Sequence, residues 1–234
     1  MKFWVGTSGY SYKGWLGSFY PERLAAKEML RYYASRLPAV EINNTFYRLP
    51  KESVLKSWAE QVPAEFRFVL KAPQKITHVK RLKDAGDETE YLFRMAKALG
   101  PTAGAVLFQL PPHVRKDPQR LKDFLALLPL DQPVAFEFRH PSWFDDEVYK
   151  LLRQRNCALC AAETDETDNM NPVTTANWGY LRLRRSEYSR EDLLKWKERI
   201  LSQAWDQAYV FFKHEDEGVG PKLASEFSEI AEAK

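Results

Sequence analysis

The sequence predicts a TIM-like (β/α)8 barrel, a closed ring of parallel strands with helices outside, formed by one domain over residues 1–234. Three observations predict it. Apolar strand-like runs alternate with amphipathic helical runs along the chain, the signature of a parallel sheet. Eight such runs in 234 residues leave about 29 residues per unit, close to one βαβ element. No glycine-rich fingerprint follows a strand, which argues against the competing open doubly wound sheet.

The strand runs are residues 2–8, 39–46, 66–72, 103–110, 133–139, 158–163, 180–184 and 208–214. Helical runs fill most of the intervals, over residues 52–61, 88–99, 118–128, 145–155 and 190–203, with a last helix over 221–233. Residues 164–176 are the most loop-like stretch, and there are no repeats or linkers.

Side chains alternate across a strand, which assigns phases. Val40 and Ile42 oppose Glu41 and Asn43, and Phe136 and Phe138 oppose Glu137 and Arg139. Lys71 opposes Leu70, Gln109 opposes Phe108, and Arg182 and Arg184 oppose Leu181 and Leu183. In a barrel the large apolar face packs under the helices, so the polar face points inward. These groups also gather toward the C-terminal strand ends, where barrel enzymes place their sites. A single charge at a strand end is ordinary. Five strands sharing the pattern, with Glu41 and Glu137 inside apolar runs, point to a polar mouth where these carboxylates pair with Lys71, Arg139 and Arg182, because an unpaired buried carboxylate costs several kcal/mol. A structural ion-pair network reads the same way in sequence. The ligand site is favoured because charge clusters concentrate at functional sites.

Thirty-five Lys and Arg against 32 Asp and Glu leave a net charge of +3, too mild to mark a nucleic-acid or membrane protein by itself. The start reads as a strand rather than a secretory leader, and no apolar run reaches the roughly 18 residues of a membrane span. Cys157 and Cys160 lie in a strand-like run with their side chains on opposite faces, which reads as core packing in a reducing, cytoplasmic compartment. The four histidines are dispersed, so no zinc or iron site is expected. An oxygen-rich metal site at Glu41, Glu137 and one histidine is the alternative. No Walker motif or nucleophile elbow names a cofactor.

Four motifs stand together: Gly6-Thr7-Ser8-Gly9-Tyr10-Ser11-Tyr12 with Trp15; Val40-Glu41-Ile42-Asn43-Asn44-Thr45-Phe46-Tyr47-Arg48-Leu49-Pro50; Leu107-Phe108-Gln109-Leu110-Pro111-Pro112; and Phe136-Glu137-Phe138-Arg139-His140-Pro141-Ser142-Trp143. With Lys71 and Ile76-Thr77-His78, they resemble the YecE-like family, a family of unknown function. The resemblance covers most of the chain and is strongest to about residue 145. It implies a TIM-like barrel and supplies no activity, although fold analogy likens such barrels to phosphate-handling ones. The chain departs from the family at the last strand. There Phe212-Lys213-His214-Glu215 replaces an aromatic followed by two asparagines.

Glu41 and Glu137 are the candidate catalytic carboxylates. The candidate ligand-binding set is Asn43, Lys71, Gln109, Arg139, His140, Trp143, Arg182 and Lys213, the arginine forks being suited to phosphate or carboxylate. Tyr10, Tyr12, Trp15, Tyr47 and Trp143 form a candidate aromatic rim, against which the plain alternative is packing over a barrel edge. Two function classes stay open: an enzyme on an anionic, phosphorylated or nucleotide-like substrate, and a non-catalytic module holding such a ligand or a nucleic-acid component. No membrane partner is expected.

Overall fold

The computed structural model describes residues 1–166, 171–213 and 218–232. Its strands are β1 (Lys2–Ser8), β2 (Ala39–Ile42), β3 (Arg67–Lys71), β4 (Ala103–Gln109), β5 (Val134–Glu137), β6 (Ala158–Leu159), β7 (Ala161–Glu163), β8 (Trp178–Leu183) and β9 (Gln207–Phe212). All pairs are parallel, in the order β6-β5-β4-β3-β2-β1-β9-β8-β7. Since β6 and β7 are two halves of one run, the sheet returns to itself there as a nearly closed TIM-like barrel.

The sequence reads residues 158–163 as one strand, and the structure breaks it at Cys160. The Cys160 amide donates to Phe136 O at 2.8 Å on the β5 side. One residue later the chain pairs with β8, at Ala161–Leu181. Below the break, the Leu159 amide donates to Thr175 Oγ1 at 2.8 Å, and that hydroxyl lies 2.8 Å from Cys157 O. A side chain from the following loop thus supplies a partner that a continuous strand would have found in its neighbour.

The helices are α1 (Met29–Ala34), α2 (Glu52–Ala59), α3 (Gly86–Ala96), α4 (Pro118–Ala126), α5 (Asp146–Gln154), α6 (Arg190–Leu201) and α7 (Val219–Glu232). Their starts are written locally. Asp117 and Asp145 cap α4 and α5 with their carboxylates, and Ser189 with Asp192 closes a capping box on α6. The six-residue α1 was not read from sequence because it is too short to show a periodic stripe. No helix follows β7 among the described residues of 164–177.

Two apolar clusters fill the space between strands and helices, one around Val40, Leu70 and Leu181, the other around Phe108, Phe136 and Trp143. A third fills the barrel. It is lopsided: β2, β4, β5 and β6 contribute Ala39, Ala105, Ala135 and Ala158, while β1, β8 and β9 contribute Trp4, Trp178, Tyr180, Tyr209 and Phe211. The aromatic half occupies the volume that the alanine half vacates. Cys157 sits in an outer cluster and Cys160 in the inner one, on opposite faces. Burial pushes the Cys157 thiol up to about 12, so neither position resembles an activated cysteine. Gly6 allows β1 and β2 to approach, because a Cβ there would stand 1.9 Å from Ala39 O.

Candidate functional site

Strand phase brings the polar side chains to the C-terminal end of the barrel. Ser8 and Glu41 are register partners on β1 and β2, as are Gln109 and Glu137 on β4 and β5. Lys71 ends β3 and Arg182 lies near the end of β8. Beneath them the aromatic fill of the barrel excludes water.

Arg182 is the centre of the arrangement. Its Nη2 donates to Glu41 Oε1 at 2.8 Å and its Nη1 to Glu137 Oε2 at 2.6 Å. The remaining carboxylate capacity is also taken. Glu41 Oε1 accepts from Ser8 Oγ at 2.8 Å and Asn43 Nδ2 at 3.2 Å, and Glu41 Oε2 from the Tyr180 hydroxyl at 2.6 Å. Glu137 Oε1 accepts from Gln109 Nε2 at 2.7 Å, Arg139 Nε at 3.2 Å and Arg184 Nη2 at 3.2 Å. Both glutamates are 0% exposed and Arg182 is 2% exposed.

Burial alone would raise both carboxyl pKa values. Together, Arg182, Tyr180 and Ser8 outweigh it at Glu41, and Arg182, Arg184 and Arg139 outweigh it at Glu137. Both groups therefore sit below the usual carboxylate range and are ionised. Burial and the adjacent Glu41 raise the Tyr180 phenol well above its ordinary value, so it remains a donor.

Lys71 is half-buried, with Nζ 4.3 Å from the centre of the Phe46 ring. Thr45 ties that turn to the strand end, its hydroxyl 2.7 Å from Lys71 O. Burial, with Arg182 and Arg139, lowers the Lys71 pKa to about 8 against the opposing pull of Glu41 and Glu137. His78, edge-on to Phe46 at 4.8 Å, is also lowered, by burial, Lys71, Arg139 and His113. A cationic rim thus stands above an acidic floor that is already neutralised.

Of the sequence-predicted set, Glu41, Asn43, Lys71, Gln109, Glu137, Arg139 and Arg182 come together. Arg182, selected from sequence as a ligand-binding group, is sealed between the two glutamates, because an inward position near the end of β8 points at the opposite wall. Two others sit elsewhere. Trp143 is 1% exposed, stacks on Phe138 at 4.3 Å and donates to Val114 O at 2.7 Å, so it belongs to the outer core and not to a rim. His140 caps the short turn Pro141–Trp143, its Nδ1 accepting from the Ser142 amide at 3.1 Å. Trp15 is likewise core, against Tyr12, Phe19 and Tyr20, whereas Tyr47 is 74% exposed. Lys213 follows β9 and is exposed. His214 and Glu215 lie outside the described residues.

Ser8, Tyr180 and Arg184 belong to the arrangement and were not selected from sequence. The signal was present, since Tyr180 and Arg184 share the phase of Arg182. Among the described residues, no group of three or more His, Cys, Asp or Glu side chains is placed to hold a metal, and no helix is long and apolar enough to cross a membrane.

Comparison with known proteins places this geometry. The chain is 25% identical to UPF0759 protein YunF of Bacillus subtilis over 256 aligned positions, covering 92% of this chain and 89% of the relative. It is 38% identical to UPF0759 protein YecE of Escherichia coli over 117 positions, covering 49% of this chain and 43% of YecE. A crystal structure of a DUF72 family protein from Thermotoga maritima superposes over 100% of both chains, with a TM-score of 0.86 and 27% identity. A DUF72 family protein from Enterococcus faecalis shares the fold, with a TM-score of 0.80 at 19% identity, covering 99% of this chain and 96% of that one. The family model described as "Protein of unknown function DUF72" matches residues 4–234, and this chain belongs to the DUF72 family.

Proposed function

We propose that the barrel mouth binds a small anionic ligand, with Lys71, Arg139 and Arg184 as its walls and the Glu41–Arg182–Glu137 array as its floor. The observation that carries this reading is the charge balance. Two ionised carboxylates face Arg139, Arg182, Arg184 and Lys71, leaving two positive charges in excess at the mouth. Arg139 keeps 40% of its side chain exposed, and the Arg184 Nε is buried without a hydrogen-bond partner. In this reading the glutamates position arginines. Their low pKa values make them poor proton donors at neutral pH. The arginine forks suit a phosphate or carboxylate group.

Calorimetric titration with inorganic phosphate and with succinate at low salt tests the proposal. Saturable binding is expected, weakening several-fold between about 0.05 M and about 0.3 M sodium chloride as screening grows. Arg139→Ala should weaken it roughly tenfold, the loss of one charge-assisted hydrogen bond. Absence of binding by either anion, or an affinity indifferent to Arg139→Ala, overturns it.

A further inference from the structure

Among the described residues, Lys71 lacks the carboxylate partner that several other lysines hold. Lys56, Lys75, Lys80, Lys116 and Lys195 each hold a carboxylate within 2.8 Å. Lys71 Nζ has no acceptor among the described residues and lies against the Phe46 face. The carboxylates that act on it, Glu41 and Glu137, have their oxygens filled by Arg182, Tyr180, Ser8, Asn43, Gln109, Arg139 and Arg184. From β8 and the end of β5, Arg182 and Arg139 repel its ammonium, and His78 is the titratable neighbour on the turn after β3. Its Nζ is thus at the mouth, aimed from a rigid strand end and short of both partners and solvent.

We infer that Lys71 is an amine nucleophile that forms an imine with the carbonyl carbon of a small anionic oxo compound held at the barrel mouth. The inference rests on the anion-binding reading above: Arg139 and Arg184 take the anionic group, and the amine takes the carbonyl carbon. With its pKa near 8, roughly one-tenth of Lys71 is uncharged at neutral pH, against well under a thousandth for an ordinary lysine. The neutral amine adds its lone pair to the carbonyl carbon, and one of its protons moves to the former carbonyl oxygen. That hydroxyl takes up one further proton and leaves as water. The product is an iminium with one positive charge, the same charge as the ammonium it replaces, so the floor need not reorganise. No oxidant or reductant is consumed.

The test is reductive trapping on the full chain. The protein is incubated with sodium cyanoborohydride and either pyruvate or glyceraldehyde 3-phosphate, then digested and mapped by mass spectrometry. Acetone serves as a neutral carbonyl and lactate as an anion without one. Labelling is expected at Lys71 with at least one anionic carbonyl, at least about tenfold above any other lysine, given its larger amine fraction. It should rise with pH to a plateau above about 8 and be suppressed by added phosphate. Lys71→Arg replaces the amine with a guanidinium that forms no imine, so it should lose the label. Phosphate binding without Lys71 labelling overturns the imine and leaves the anion site standing. Neither binding nor labelling overturns both. Labelling spread evenly over surface lysines, or equal labelling by acetone, also overturns the imine.

Discussion

Arg182 and Glu137 meet inside the barrel with Nη1 2.6 Å from Oε2, although their strands β8 and β5 are not hydrogen-bonded neighbours. The same guanidinium reaches Glu41 on β2, so one side chain neutralises two walls. Arg182→Met leaves two buried carboxylates facing one another. It should destabilise the fold by about 3–5 kcal/mol, the usual cost of breaking a buried pair from one side, read as a lower urea midpoint. Adding Glu41→Gln and Glu137→Gln to that variant should recover much of the loss. A single variant as stable as the parent would contradict this account.

The acid limb of stability should carry the signature of both glutamates. Their folded pKa values lie below the ordinary carboxylate value. The unfolded chain therefore takes up protons first as pH falls, and the stabilisation is complete above about pH 5. It should begin to fade near about pH 4 and continue to be lost below that. Glu137→Gln should flatten this limb, as followed by urea unfolding at a series of pH values.

Lys71 should act in the opposite sense. Its folded pKa of about 8 lies below the ordinary lysine value, so between about 8 and about 10 the unfolded state binds more protons and stability rises with pH. Lys71→Met should therefore be more stable than the parent at about pH 7, on the order of 1 kcal/mol, with the advantage shrinking toward about pH 10. Thermal melts at the two pH values measure it. Phosphate affinity should fall in the same variant.

Trp143→Ala should separate packing from binding. The indole is buried against Phe138 and hydrogen-bonded to Val114 O, so its loss should cost about 3–5 kcal/mol. Phosphate affinity of the folded variant should stay within about twofold of the parent, since the indole's ring contact and hydrogen bond lie in the outer core rather than with Lys71, Arg139 or Arg184.

The alternation of Glu41 with Val40 and Ile42, and of Glu137 with Phe136 and Phe138, was enough to place both carboxylates inside the ring, because a period of two leaves no other face. The need for cationic partners such as Arg182 was legible as well, but not that one arginine would hold both carboxylates. Nothing near Arg182 in sequence says that Glu41 and Glu137 lie within its reach, since that distance is set by barrel closure. Trp143 and Trp15 misled for a related reason. An aromatic beside a strand end can turn outward under a helix or inward over the mouth, and loop geometry decides which. Beside the break at Cys160, the Leu159 amide meets the Thr175 hydroxyl 16 residues downstream, a partner that no local pattern announces.

That break also sets where the ring can breathe. β6 is held to β5 at Ala135–Ala158 and Phe136–Leu159, and β7 to β8 at Ala161–Leu181, Ala162–Arg182 and Glu163–Leu183. The strands on either side of this short segment carry Glu137 and Arg182. The ion pair therefore acts as a clasp over the seam, sharing load that the backbone ladder there carries thinly. Amide hydrogen exchange in residues 158–163 should accordingly respond to the loss of Arg182 far more than exchange in β1 and β9, whose long mutual ladder lies on a different arc of the ring.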